Sequence, residues 1–137
     1  MGTRSLVGVM HGTVCKSVFC HYDGYLSYTG EILNRHYDSA LANELVSRGD
    51  NSGVKENLAF MNFYGERGED NTSWSVTHSF EQFLEEVQGR GCEYYYIMQH
   101  GVWYAGCVYS VTGLRKGGLV PLTEALAANT IQQLMAE

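Results

Sequence analysis

The chain holds a single proline, few charges, no Cys-x-x-Cys pair and no long apolar run, and each shortage excludes something. One proline in 137 residues, with charged residues at 18% against about 25% in ordinary domains, excludes collagen-like, low-complexity and highly charged disordered sequence. Apolar stretches last only a few residues, far short of the ~18 that cross a bilayer, so no membrane partner is expected. Met1 to Ser5 runs straight into an alternating segment without the apolar core of about 7 residues that a secretory signal needs, which points to a cytoplasmic chain. In that reducing setting Cys15, Cys20, Cys92 and Cys107 read as buried thiols. A zinc site from Cys15, Cys20, Cys92 and His21 would use a poor C-x4-C spacing. Basic residues are also scarce: 9 Lys and Arg against 15 Asp and Glu give a net charge of -6, which disfavours duplex nucleic acid.

What is present is order. Hydrophobic residues make up 45% of the chain, with 10 Tyr, and the length suits one domain over residues 1–137. Two β-rich runs, Arg4–Met10 and Thr13–Tyr22, flank His11-Gly12, and the same grammar recurs at Cys92–Met98 and Val102–Tyr109 around His100-Gly101. A two-residue loop at His100-Gly101 sets Met98 opposite Trp103, Tyr96 opposite Ala105 and Tyr94 opposite Cys107. One face then carries Tyr94, Tyr96, Met98 and Trp103, the other Tyr95, Ile97 and Tyr104. With both faces apolar, helices are expected over one, and a loop or a second subunit over the other. Thr29 is placed to cap a short turn, Asp38 or Ser39 to cap Ala40–Arg48, and Ser79 with Gln82 to form a capping box for a helix ending at Gly89. Pro121 or Thr123 opens a last helix with Leu122, Leu126, Ile131 and Leu134 as buried positions, and Ala59–Tyr64 reads as an edge strand. The expectation is an α+β fold: an antiparallel sheet built from two hairpins plus an edge strand, with about four helices packed mainly on one face.

Chemistry gathers at three places. The cluster Cys20-His21-Tyr22-Asp23-Gly24-Tyr25 sits where the second strand leaves the sheet. Strand alternation puts His21 and Asp23 on one side and Cys20 and Tyr22 on the other. A small hydrolase or metal-dependent enzyme centred on His21 and Asp23, with Cys20 nearby and His36, Asp38 or His78 as further ligands, is the alternative reading, although no HExxH-like spacing supports it. The loop Gly113–Gly118 is the one basic, glycine-rich segment. Its Arg115, Lys116 and Gly117 suit a phosphate, and Tyr95, Trp103, Tyr104, Tyr22 and Tyr25 could complete a pocket by stacking on a base. Lastly, Glu66, Glu69 and Asp70, extended by Glu85 and Glu86, form a negative patch suited to a basic protein partner. No cofactor or resident metal is implied.

The opening Gly2-Thr3-Arg4 and the run His21-Tyr22-Asp23-Gly24-Tyr25 resemble a group of small bacteriophage proteins that begin with Gly-Thr-Arg and carry a His/Arg-Tyr/Trp-Asp-Gly-Tyr core followed by a glycine, here Gly30. Leu26 stands where those proteins often have Pro. The likeness spans roughly the first 35 residues and rests on short motifs. It implies an accessory phage protein in the host cytoplasm that counters a host defence system, either by blocking a host protein or by sequestering a signalling nucleotide. It carries no catalytic residues across. Together these readings favour binding over turnover, in a homo-oligomer if the ligand is to lie between subunits.

Overall fold

A computed structural model describes residues 2–136. Strands β1 (Ser5–His11) and β2 (Val14–Cys20) form the first hairpin. His11 pairs with Val14 and Gly12 takes a φ of 65°, so the loop is Gly12-Thr13, one residue later than expected. Strands β4 (Tyr94–Gln99) and β5 (Val102–Cys107) form the second, in the expected register of Met98 with Trp103, Tyr96 with Ala105 and Tyr94 with Cys107. His100 and Gly101 both take positive φ, 53° and 77°, as a tight two-residue turn between twisted strands requires.

The hairpins join through their inner strands. β1 runs parallel to β4, with Ser5 beside Tyr94 and Val9 beside Met98, while the other pairings between named strands are antiparallel. Two short strands complete the sheet, β3 (Ser75–Thr77) on β2 and β6 (Val120–Pro121) on β5, in the order β3-β2-β1-β4-β5-β6. The edge strand is therefore Ser75–Thr77 and not Ala59–Tyr64. The latter holds a 3-10 turn at Leu58–Phe60 and a single bridge from Phe63 to Asn51, because Leu58, Met61 and Phe63 each turn into the core without a strand's alternation.

Four α-helices cover the sheet. Helix α1 (Glu31–His36) follows a π-helical turn at Leu26–Gly30, α2 (Ser39–Ser47) begins where Asp38 accepts from the Leu41 amide, α3 (Phe80–Gly89) begins where Ser79 accepts from the Gln82 amide, and α4 (Leu122–Ala136) follows β6 directly. Thr29 caps no helix; its buried hydroxyl donates to the Asp23 carbonyl at 2.6 Å. Helices α1, α2 and α4 bury Leu33, Leu45, Val46 and Leu122 against Val7, Val18, Tyr96 and Met98. On the opposite face α3 sets Phe83 and Val87 on Leu6, Tyr95 and Ile97, each fully buried apolar side chain contributing about 1.5–3 kcal/mol. The fold is thus α+β with three of the four helices on one face. The other face is covered by α3 together with the loop after β5, whose Val108 and Leu119 pack on the same cluster and whose Gly118 carbonyl accepts from the Tyr95 hydroxyl, so the loop of the two expected covers is present beside a helix. In α4, Leu122, Ala125 and Leu126 are buried, but Ile131 and Leu134 are 58% and 66% exposed because the helix runs on past the sheet. No helix among the described residues is long and apolar enough to cross a membrane.

Candidate functional site

The run His21 to Tyr25 is first of all a wired turn. Gly24 donates its amide to the Thr3 carbonyl at 2.8 Å, and its own carbonyl accepts from the Tyr96 hydroxyl at 2.7 Å. A side chain on Gly24 would lie 2.6 Å from Ser5 Cβ, and one on Gly2 would overlap the Tyr22 ring. The two sequence signatures, Gly-Thr-Arg and His-Tyr-Asp-Gly-Tyr, therefore pack on each other, and the glycines are there to permit it. Strand alternation fails past Cys20: Asp23 takes a φ of 59°, and the His21 and Tyr22 rings stack at 4.3 Å and 7° instead of pointing apart. His21 Nδ1 meets the Tyr64 hydroxyl at 3.2 Å.

This turn does not assemble a nucleophile and base. Cys20 is fully buried, and burial pushes its thiol up to about 12, which leaves no thiolate for attack near neutral pH. Cys15 and Cys92 pack on the α3 face and Cys20 on the other, which separates the thiols a zinc site would have used. Among the described residues, no group of three or more His, Cys, Asp or Glu converges in a way that would hold a metal ion.

The basic loop meets Tyr95 of the expected aromatic set, but as packing and not as a pocket wall. Arg115, Lys116 and Gly117 are exposed, but the Gly117 amide donates to the Cys107 carbonyl at 2.9 Å and the Gly118 amide to the Arg115 carbonyl at 3.0 Å, so neither is free for an anion. Tyr95 is committed to the core: its ring lies edge-on to Phe83 at 5.7 Å, and its hydroxyl donates to the Gly118 carbonyl at 2.7 Å. Trp103 lies four residues along β5 from Cys107, the strand position that Lys116 bridges, about 13 Å away at the rise of a strand. Its indole donates to the Tyr37 carbonyl at 2.9 Å. Tyr104 is half-buried opposite Pro121. Tyr22 and Tyr25, 48% and 38% exposed, belong to the turn after β2, three strand positions from β5.

The acidic patch is partly neutralised. Arg48 donates twice to Glu66, at 2.8 Å each, and holds its carboxyl below the usual range. Arg67 pairs with Glu69, and Glu86 accepts from the Ser75 hydroxyl at 3.0 Å. Asp70 and Glu85 remain exposed.

A cleft of about 570 Å³ lies elsewhere, at the junction of α1 and α2. The C-terminal end of α1 brings Arg35 and His36 to it, and the start of α2 brings Asp38 and Ser39. The β4-β5 hairpin supplies Met98 and Trp103 beneath, and the start of α4 adds Leu122 and Thr123. Its shape is fixed from below, since the Trp103 to Tyr37 hydrogen bond ties the interhelix segment to the sheet. A second cleft of about 420 Å³, which Arg48 and Glu44 help to line, opens on the other side of His36 and Tyr37.

No protein-family model, no curated protein and no solved structure matches the chain. The cleft has a volume usual for small-ligand sites, roughly 300–1,000 Å³, and it gathers a guanidinium and an imidazole from α1, a carboxylate from the start of α2 and an indole from β5. Of these, sequence reasoning raised Trp103 as a stacking residue and His36 and Asp38 as metal ligands. Arg35 carried no signal, because its exposed ion pair with Glu31 at 2.9 Å is ordinary i,i+4 helix chemistry.

Proposed function

We propose that the chain is a non-enzymatic binding protein of the phage accessory type, and that it counters host defence by sequestering a small signalling nucleotide in the α1-α2 cleft. One observation carries this reading: Arg35, His36, Asp38 and Trp103 line one cleft of about 570 Å³. A guanidinium beside an imidazole suits one phosphate group, for which Arg35 would exchange its exposed pair with Glu31; the Asp38 oxygen not engaged by the Leu41 amide can accept from a ribose hydroxyl, and the Trp103 and Met98 floor gives a base an apolar surface. The net charge of -6 disfavours a polyanion but leaves room for a ligand with one or two charges. The alternative, in which acidic residues grip a host protein, is weakened by the arginines already paired with Glu66 and Glu69.

The test is to purify the protein from infected cells, release its contents by heat, and identify them by mass spectrometry. An intact nucleotide released by the native chain, and reduced tenfold or more in Arg35→Glu and His36→Ala variants that still fold, is the expected result. Recovery of a cleaved nucleotide would instead support the hydrolase. A host protein captured without any nucleotide, unaffected by Arg35→Glu, would overturn the proposal.

A further inference from the structure

On the opposite face of the sheet lies a smaller and more enclosed cavity, about 200 Å³. It sits where the first turn of α3 passes over the ends of β1 and β4. Phe80, Phe83, Met10, Ile97 and Leu119 form its walls, Cys15 closes one side, and Thr13 and Gln99 stand at the rim together with Ser79. Ser79 is already committed as the α3 cap, accepting from Gln82 at 3.1 Å.

Three features define the guest. None of the lining residues carries a charge, and an ion moved into such walls would lose its hydration without compensation, so the guest is neutral. The volume exceeds that of an apolar cavity of about 150 Å³, which stays dry and takes up benzene, so one ring system fits and two do not. The walls are aromatic: Phe80 and Phe83 lie 6.3 Å apart at 17°, and Phe80 remains 37% exposed although it begins a helix packed on the sheet. A flat guest would cover that ring by face or edge contact, whereas water would find too few polar partners among these walls.

We propose that this cavity is a binding site for a single uncharged ring, indole-sized or smaller, held with its polar edge toward Thr13 and Gln99. The site is separated by the sheet from the α1-α2 cleft and does not depend on it.

The experiment titrates the protein with indole and with benzene, read by the methyl NMR signals of Met10, Ile97 and Leu119. Saturable shifts of those three methyls are expected with both probes. Leu119→Phe, which fills the cavity from a half-buried position, should weaken both at least tenfold. Thr13→Val, a change at an exposed residue that leaves the core intact, should weaken indole several-fold and benzene not at all. Arg35→Glu should leave both titrations unchanged, which separates this site from the nucleotide cleft. Absence of saturable shifts up to the solubility limit, shifts confined to Met98 and Leu122, or tight uptake of the anion indole-3-acetate would overturn the proposal. Should Leu119→Phe fail to fold, the indole-to-benzene contrast in Thr13→Val decides alone.

Discussion

The Tyr96 hydroxyl in β4 donates to the Gly24 carbonyl at 2.7 Å, across 72 residues of sequence. It ties the turn after β2 to the middle of the sheet, inside the core and away from water. Tyr96→Phe removes the donor and leaves a buried carbonyl unpaired, a loss of about 1–3 kcal/mol. Urea denaturation should show that loss at unchanged m-value. Tyr95→Phe should cost less, because its acceptor, Gly118, sits at a half-buried position that water can reach.

Gly24 and Ser5 form a second linked pair. A methyl on Gly24 would stand 2.6 Å from Ser5 Cβ and 2.7 Å from Ser5 Oγ, in a place where Ser5 is fully buried. Gly24→Ala should therefore destabilise by about 1–3 kcal/mol through overpacking. Ser5→Gly removes the two closest contacts and leaves the Thr3 carbonyl at 3.0 Å, so the double variant should recover about 1 kcal/mol of that loss. A double-mutant cycle in denaturant measures it, and strict additivity would show that the Thr3 carbonyl, 3.0 Å from the same methyl, sets the cost and not Ser5.

Asp50 is 4% exposed and accepts from the Arg90 guanidinium at 2.8 Å and from the Phe19 amide at 2.8 Å, while Arg90 lies over the Phe19 ring at 4.7 Å. Arg90→Met keeps most of the packing but leaves a buried carboxylate without its counter-ion. Because Arg90 is 28% exposed and partly screened, the expected cost is about 1–3 kcal/mol, below that of a fully buried pair. The additional replacement Asp50→Asn should restore part of it, as read from the shift in denaturation midpoint.

The four thiols give a pH prediction. Burial pushes Cys15, Cys20 and Cys92 up to about 12 from an ordinary 9.0, and raises Cys107 as well. Once pH exceeds 9.0 the unfolded chain releases these protons and the folded one does not, so stability holds below that value and falls as pH climbs toward about 12. Buried Tyr37 and Tyr95, also pushed up to about 12, act in the same direction. Thermal melts from pH 7 to 11 should show Tm falling only in the alkaline half. At pH 8 a thiol reagent should label none of the four cysteines until denaturant is added.

Local signals were readable in the sequence, and distant ones were not. Tyr and Val around His100-Gly101 fixed the second hairpin to its register, since every determinant lies within a few residues. The first slipped by one because His11 pairs with Val14 instead of turning. The Asp38 and Ser79 caps and the Gly49 stop, at a φ of 94°, are equally local. The parallel pairing of β1 with β4 joins segments about ninety residues apart, and no periodicity encodes it. Ala59–Tyr64 misled because buried residues at Leu58, Met61 and Phe63 look alike whether the backbone is a strand or an irregular plug. The α1-α2 cleft was hidden for another reason: His36, Asp38 and Trp103 stood out one by one and Arg35 not at all, and they become a set only after the helices dock.

Helix α4 tests where periodicity stops reporting burial. Leu122, Leu126, Ile131 and Leu134 share an apolar pattern, yet the first two are buried and the last two face outward, with Met135 at 82% exposure beside them. The difference is the length of sheet beneath, which ends before the helix does. Leu122→Ala opens space at a fully buried position and should cost about 2–5 kcal/mol. Ile131→Gln and Leu134→Gln remove exposed methyl groups and should each change stability by less than about 0.5 kcal/mol. Denaturation of the three variants at low protein concentration makes the comparison. A cost above 1 kcal/mol for either glutamine variant, growing as the protein is concentrated, would mean that the end of α4 is covered in solution by something other than this chain's own sheet.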